Sequence, residues 1–222
     1  MNRSKLLEYF DATAIQEPIN VIGCGAIGSH VCETLARMGF PEVHIYDFDT
    51  VDEHNITNQK FITVDIGHSK VDACERYMQA INPDMKVIKH ADGLQPPYVV
   101  NGIVILAVDD IELRQKIVAA NKYNNYCKMF LDFRMRLTDA QHYFAMHDNA
   151  KDMLKLEKSM DFTHDEAKEA TPESACGVQL SVVYTVQTIV ALGIANLVNS
   201  IITKKYNTFV MMDMSTMNIT TF

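Results

Sequence analysis

Residues 19–59 constrain this chain more than any other stretch. Ile19-Asn20-Val21-Ile22 reads as a buried strand and runs straight into Gly23-Cys24-Gly25-Ala26-Ile27-Gly28. A helical segment follows, and a second strand, Val43-His44-Ile45-Tyr46, ends at Asp47, 19 residues beyond Gly28. Gly23 allows a tight turn off the strand. Gly25 lets backbone N–H groups approach a phosphate, and Gly28 lets the helix pack close. The helix beginning at Ala26 points its positive end at that phosphate. Asp47 ends its strand where a carboxylate can accept hydrogen bonds from a ribose. A lone glycine fingerprint is weak, but strand before, helix after and acid at this distance together predict a nucleotide site.

Composition limits the rest. The chain has 222 residues, 48% of them hydrophobic, and a net charge of −8. That suffices for one substantial core. The acidic balance argues against general nucleic-acid or anionic-membrane binding. Cys24, Cys32, Cys74, Cys127 and Cys176 form no CxxC pair, which excludes a paired-CxxC zinc site and fits reduced thiols in the cytoplasm. The first residues lack the apolar core of a signal peptide. Residues 177–203 carry no charge, which is long enough to span a bilayer. Gln179, Ser181, Thr185, Gln187, Thr188, Asn196, Asn199 and Ser200 make a helix buried between protein layers the expected reading instead.

Strand and helix alternate: strands at 19–23, 43–47, 85–90, 102–108 and 128–133, helices at 26–38, 68–81 and 111–124. Alternation of this kind predicts an α/β, Rossmann-like, doubly wound and mainly parallel sheet. Ile103–Val108 has the continuous apolar character of a central strand, and its carboxyl end, marked by Asp109-Asp110, lies on the edge where ligands bind. Beyond Phe133 the alternation stops. Residues 141–146 read as an antiparallel strand, 150–175 as an acidic segment (a helix and loop, or a solvated face), and 209–214 as a final strand. A single domain over 1–222 is expected, with its nucleotide-binding core at 19–134 and a C-terminal helix and strand over 178–222.

Three amides, Asn55, Asn58 and Gln59, follow the second strand. A nicotinamide enzyme has no evident need of them there, whereas a triphosphate reaching outward needs donors beyond the glycine loop. Lys70 stands near a helix start, where a cation does not help the helix dipole; a phosphate is one explanation and a surface position the other. Asp109 is a candidate Mg²⁺ ligand, with Asp110 its competitor or a helix cap.

The strings VIGCGAIGSHVCETLARMGFPEVHIYDFDTVDEHNITNQ, GHSKVDA and LAVDD, in that order, resemble the E1-like activating enzymes of the ThiF/MoeB/HesA superfamily, most of all its small stand-alone members from phages and mobile elements. The resemblance implies adenylation, with ATP and Mg²⁺, of the C-terminal carboxylate of a small ubiquitin-like or sulfur-carrier protein ending in Gly-Gly. It implies a cofactor-binding set of Gly23, Gly25, Ala26, Ile27, Gly28, Asp47, Asp49, Asn55, Asn58, Gln59 and Lys70. Asp47 would hold the ribose, Asn55, Gln59 and Lys70 the phosphates, and Asp109 the metal. Arg3 matches an arginine that reaches into a partner subunit's site, so a homodimer is expected. Cys176, after an acidic loop, is either a thioester-forming nucleophile or a small buried hydrophobe. Two features depart from the family: Asn58 stands where many members have arginine, and the zinc cysteines of many members are missing. The competing readings are an E1-like fold kept for binding, and a dehydrogenase using the glycines with Asp47.

Overall fold

Continuous apolar runs dictate the centre of the sheet. In the computed structural model, which describes residues 1–169, 172 and 180–222, β1 (Ile19–Ile22) and β4 (Gly102–Leu106) lie side by side in parallel. Every residue of both is buried. Successive side chains alternate between two cores. Ile103 and Ile105 face one, Val104 and Leu106 the other, as the two-residue period of a strand covered on both faces requires.

The sheet grows outward from this pair in the order β3-β2-β1-β4-β5-β6-β7-β8. β2 (Glu42–Tyr46), β3 (Lys86–His90) and β5 (Cys127–Met135) join in parallel. β6 (Asp139–Met146), β7 (Phe209–Asp213) and β8 (Asn218–Thr221) continue antiparallel. The expected doubly wound sheet with an antiparallel extension is therefore present. β8 was not foreseen. Its polar residues carry no alternation, and a turn in which Asp213 accepts the Ser215 N–H and hydroxyl folds it back on β7.

On one face lie α1 (Ala26–Met38), α2 (Lys70–Ile81) and α6 (Val183–Thr203). On the other lie α3 (Ile111–Asn121) and α4 (Ala150–Lys158), while the short α5 (His164–Glu169) follows α4. α1 stops as expected at Gly39, whose left-handed φ of +80° lets the Gly39 and Phe40 N–H groups bond back to Ala36 and Leu35. α2 starts at Lys70 rather than 68, because Gly67 turns at φ +83°. The uncharged helix α6 is long and apolar enough to cross a membrane, with 56% of its most apolar window buried. Here it packs on α1, β5 and β6, burying Val186, Ile189, Val190 and Leu197.

The buried polar residues of α6 have partners. Asn196 exchanges hydrogen bonds with Asn207 and donates to His142 Nε2 on β6 at 3.1 Å. His142 is fully buried and its Nδ1 has no partner among the described residues; burial lowers its pKa from 6.5 to about 4. His147, five residues on, turns the other way and donates to the Asn121 carbonyl. Between pH 6.5 and 4 the unfolded chain binds the imidazole proton more readily than the folded one. Stability is therefore lost as pH falls through this window, by about 3 kcal/mol at ~1.4 kcal/mol per unit. Denaturant titrations from pH 7 to 4 should show His142→Gln losing less stability than wild type over this range; parallel curves would refute the assignment.

Candidate functional site

The connections after β1 and β4 part at their carboxyl ends, one running through α1 to β2 and the other through α3 to β5. A cleft of about 880 Å³ opens there, at the switch point where open α/β sheets bind ligands. Each glycine has a measurable job. Gly23 adopts φ +94°, and a Cβ there would press on the Ala107 backbone. A Cβ on Gly28 would overlap the Gly23 carbonyl oxygen, so Gly28 sits behind the loop, fixing its fit to α1, and does not line the cleft. A Cβ on Gly25 would meet nothing within 4 Å. Gly25 is the N-cap of α1, which has no side-chain cap and no acid in its first turn. Its first amides are left for a ligand of negative charge.

Asp47 reaches this loop from β2. Its Oδ2 accepts the Cys24 N–H at 2.6 Å and its Oδ1 the Asp49 N–H at 2.9 Å. Burial raises the Asp47 carboxyl above its usual value, against the pull of those N–H groups. Lys70, buried at the start of α2, donates to Asp49 Oδ2 at 2.7 Å. That pair offsets the cost of a cation at a helix start. Asn55 closes a 3-10 turn over Glu53–Thr57, its Oδ1 accepting the Asp52 N–H at 2.9 Å. Asn58 caps the end of that turn. The Gln59 Oε1 is buried on the cleft wall, with no hydrogen-bond partner among the described residues. The orphaned amide oxygen can accept from a hydroxyl or amine of an occupant, and the open cradle at Gly25 fits a phosphate.

The two aspartates after β4 divide their work. Asp110 caps α3 by accepting the Leu113 N–H at 3.0 Å. Asp109 is exposed on the cleft wall, with no side-chain hydrogen bond or ion pair among the described residues, and so is open to a cation.

One predicted residue lies elsewhere. Arg3 pairs with Asp11 at 3.0 Å and rests over Gly39, at the far end of α1 from the cleft. The 13-residue helix puts about 20 Å between them. Cys176 lies outside the described residues.

The sequence reading missed a second set. Leu94, Gln95 and Tyr98, on the connection between β3 and β4, form one wall, and Phe48 and Arg136 the rim. Beneath them Arg114 on α3 donates to Asp132, the Phe133 carbonyl and the Val108 carbonyl. Arg134 donates to Asp132 and to Ser159 and lies over the Tyr143 and Phe162 rings. Arg114 thus fastens the backbone next to Asp109 to the sheet. The one clue in sequence was Asp-Phe-Arg at 132–134, a charge pair inside an apolar strand.

The protein-family model described as "ThiF family" matches residues 16–222. A ubiquitin-like modifier-activating enzyme 5 of Drosophila virilis is 31% identical over 126 residues, spanning 48% of this chain and 31% of that protein. The NEDD8-activating enzyme E1 catalytic subunit of Saccharomyces cerevisiae is likewise 31% identical, spanning 51% of this chain and 42% of its own length. The chain therefore spans less than half the length of these relatives. Escherichia coli MccB, solved with ATP, superposes with a TM-score of 0.72 at 17% identity, over 93% of this chain and 63% of that one. PaaA superposes equally well at 16% identity, over 93% and 64%. At these identities the structural likeness establishes the fold.

Asp132 is fully buried and needs its cations. Removing one partner of a buried ion pair costs about 3–5 kcal/mol, and Arg134 remains to hold Asp132, so Arg114→Met should cost about 3 kcal/mol. Urea unfolding checks this; an unchanged midpoint would show that the Arg114–Asp132 contact carries no stability.

Proposed function

The chain belongs to the ThiF family, and from that premise we propose that it is an ATP-dependent adenylyltransferase. Its substrate is the C-terminal carboxylate of a small ubiquitin-like or sulfur-carrier protein. The products are an acyl-adenylate and pyrophosphate. The observation that carries the reading is the uncapped start of α1 behind the open cradle at Gly25, facing an aspartate left unused at Asp109. The relatives named as activating enzymes for ubiquitin-like modifiers support the choice of substrate class.

The chemistry asks little of acid–base groups. A carboxylate is already ionised at pH 7, so its attack on the α-phosphorus needs no general base. The barrier is the approach of two anions and the charge gathering on the departing pyrophosphate; positioning and electrostatics lower it. In this reading the α1 amides, Asn55, Gln59 and Lys70 hold phosphates. Asp49 gives up part of its contact with Lys70 when they arrive. Asp47 takes the ribose, and Ile22, Leu94 and Val108 offer apolar surface to the base. Asp109 would hold Mg²⁺, which neutralises phosphate charge. Asn58 cannot supply the charge of the arginine common in the family; Arg136, exposed on the cleft rim, lies within the same cleft to replace it. Arg3 serves a partner's cleft in a homodimer, and Cys176 is the acceptor if a thioester follows. The reduced, buried cysteines suit a cytoplasmic enzyme.

Asn58 also favours a second reading, an E1-like fold kept for binding. ATP–pyrophosphate exchange with a cognate carrier separates the two. Asp109→Ala should lower exchange by about 10²–10³-fold with an unchanged melting temperature, since the side chain is exposed; normal exchange in that folded variant removes Asp109 from the reaction. Arg3 has its own test. Arg3→Ala and Asp109→Ala proteins, each inactive alone, should recover about a quarter of wild-type exchange on mixing, because half the dimers are mixed and each holds one complete site. No recovery would refute action across the dimer.

A further inference from the structure

Three cysteines far apart in sequence meet beneath the glycine loop. Cys24 lies within the loop, Cys32 on α1 and Cys74 on α2. All three are fully buried, and their Sγ atoms lie within 4.8 Å of one another. Adenylation gives them no task. Nor does packing explain the arrangement: three apolar side chains would fill the space without aiming three sulfurs at one point. The CxxC spacing that announces metal sites is absent, because the ligands come from three separate elements.

We propose that this trio is a binding site for one cuprous ion, held by three sulfurs in a plane. Metal–sulfur bonds of about 2.3 Å place three such sulfurs about 4 Å apart, within the separation found here. The donor set is all sulfur, which selects soft cations. With no imidazole or carboxylate among the ligands and no fourth ligand among the described residues, it does not suit Zn²⁺, which takes four in a tetrahedron. The Tyr77 hydroxyl lies 3.2 Å from Cys74 Sγ and 2.7 Å from the Ser29 carbonyl, which ties the cluster to α1. Binding exchanges thiol protons, released to water, for copper–sulfur bonds; copper remains Cu(I) and no electron is transferred. Gly23 and Gly25, on either side of Cys24, line the cleft, so the ion enters by a local opening of the loop.

The test is anaerobic titration of the reduced full chain with Cu(I) in competition with bicinchoninate. Wild type, Cys127→Ser and Cys176→Ser should each withhold one equivalent of copper. Cys32→Ser, shown to be folded by circular dichroism, should bind at least about tenfold more weakly. Copper retained by folded Cys32→Ser, or lost from Cys176→Ser, overturns the proposal, as does a wild-type protein that surrenders all its copper. X-ray absorption on the loaded wild type decides the matter even where a variant does not fold. A shell of three sulfurs is expected; two sulfurs, or any nitrogen, overturns it.

Discussion

One contact made possible by a missing atom holds the architecture in place. Gly28 meets the Gly23 carbonyl so closely that a Cβ has no room. This seats the first turn of α1 directly on the end of β1. Its consequences spread outward. α1 lies low enough on the sheet for α2 and α6 to pack on its two flanks. Its uncapped amides end at the cleft floor, and Cys32 comes up beneath Cys24. A larger side chain at 28 would lift the helix and withdraw those amides together, so one position couples the core to the site.

Around that contact the acids of the cleft are sorted by their neighbours, not by their strand positions. Asp110 accepts a helix N–H and Asp132 is held between two arginines. Asp47 accepts two backbone N–H groups, and Asp49 holds Lys70. For Arg114 and Lys70, both buried, the carboxylate satisfies a donor that burial would otherwise leave costly. Asp109 is left over among the described residues, as is Asp92 on the connection between β3 and β4, and both are exposed where a cation can reach them. Arg114 makes this sorting rigid, since a single guanidinium bonds both Asp132 and the Val108 carbonyl beside Asp109.

How far the sequence revealed this depended on whether the relevant signal was local. The parallel strands, α1 with its Gly39 stop, and the glycine loop rest on short-range rules: alternation, an apolar run, a residue that permits positive φ. They appear within a residue or two of where those rules put them. Asp109 against Asp110 was left open, because capping depends on a hydrogen bond that composition does not show. β8 and the wall at Leu94–Tyr98 were invisible, since neither carries a period. The convergence of Cys24, Cys32 and Cys74 was equally hidden, because it depends on how α1 and α2 pack. Nothing in the sequence sets Arg114 apart from the other charged residues of α3, yet the fold buries it under the cleft.

The unresolved quantity in the proposed reaction is positive charge, and the geometry says where it must come from. A triphosphate and a carboxylate bring together more negative charge than one lysine can balance. Lys70 already faces Asp49, so its net contribution is partial. Arg114 and Arg134 are committed to Asp132 and to carbonyls, and are not available to a ligand. Asn58 adds a dipole and no charge. What remains along the cleft among the described residues is the set of α1 amides, Arg136 and Lys116, the last loosely paired with Glu112 at 3.7 Å. The helix is worth roughly half an elementary charge at its start. In the proposed reaction a metal on Asp109 would supply two charges to the same place. In the proposed homodimer an arginine from the second subunit, which Arg3 of the same chain is about 20 Å too distant to replace, would supply one more. In the proposed reaction, positive charge would therefore come in large part from outside cations, because two arginines of the cleft, Arg114 and Arg134, are spent on holding it together.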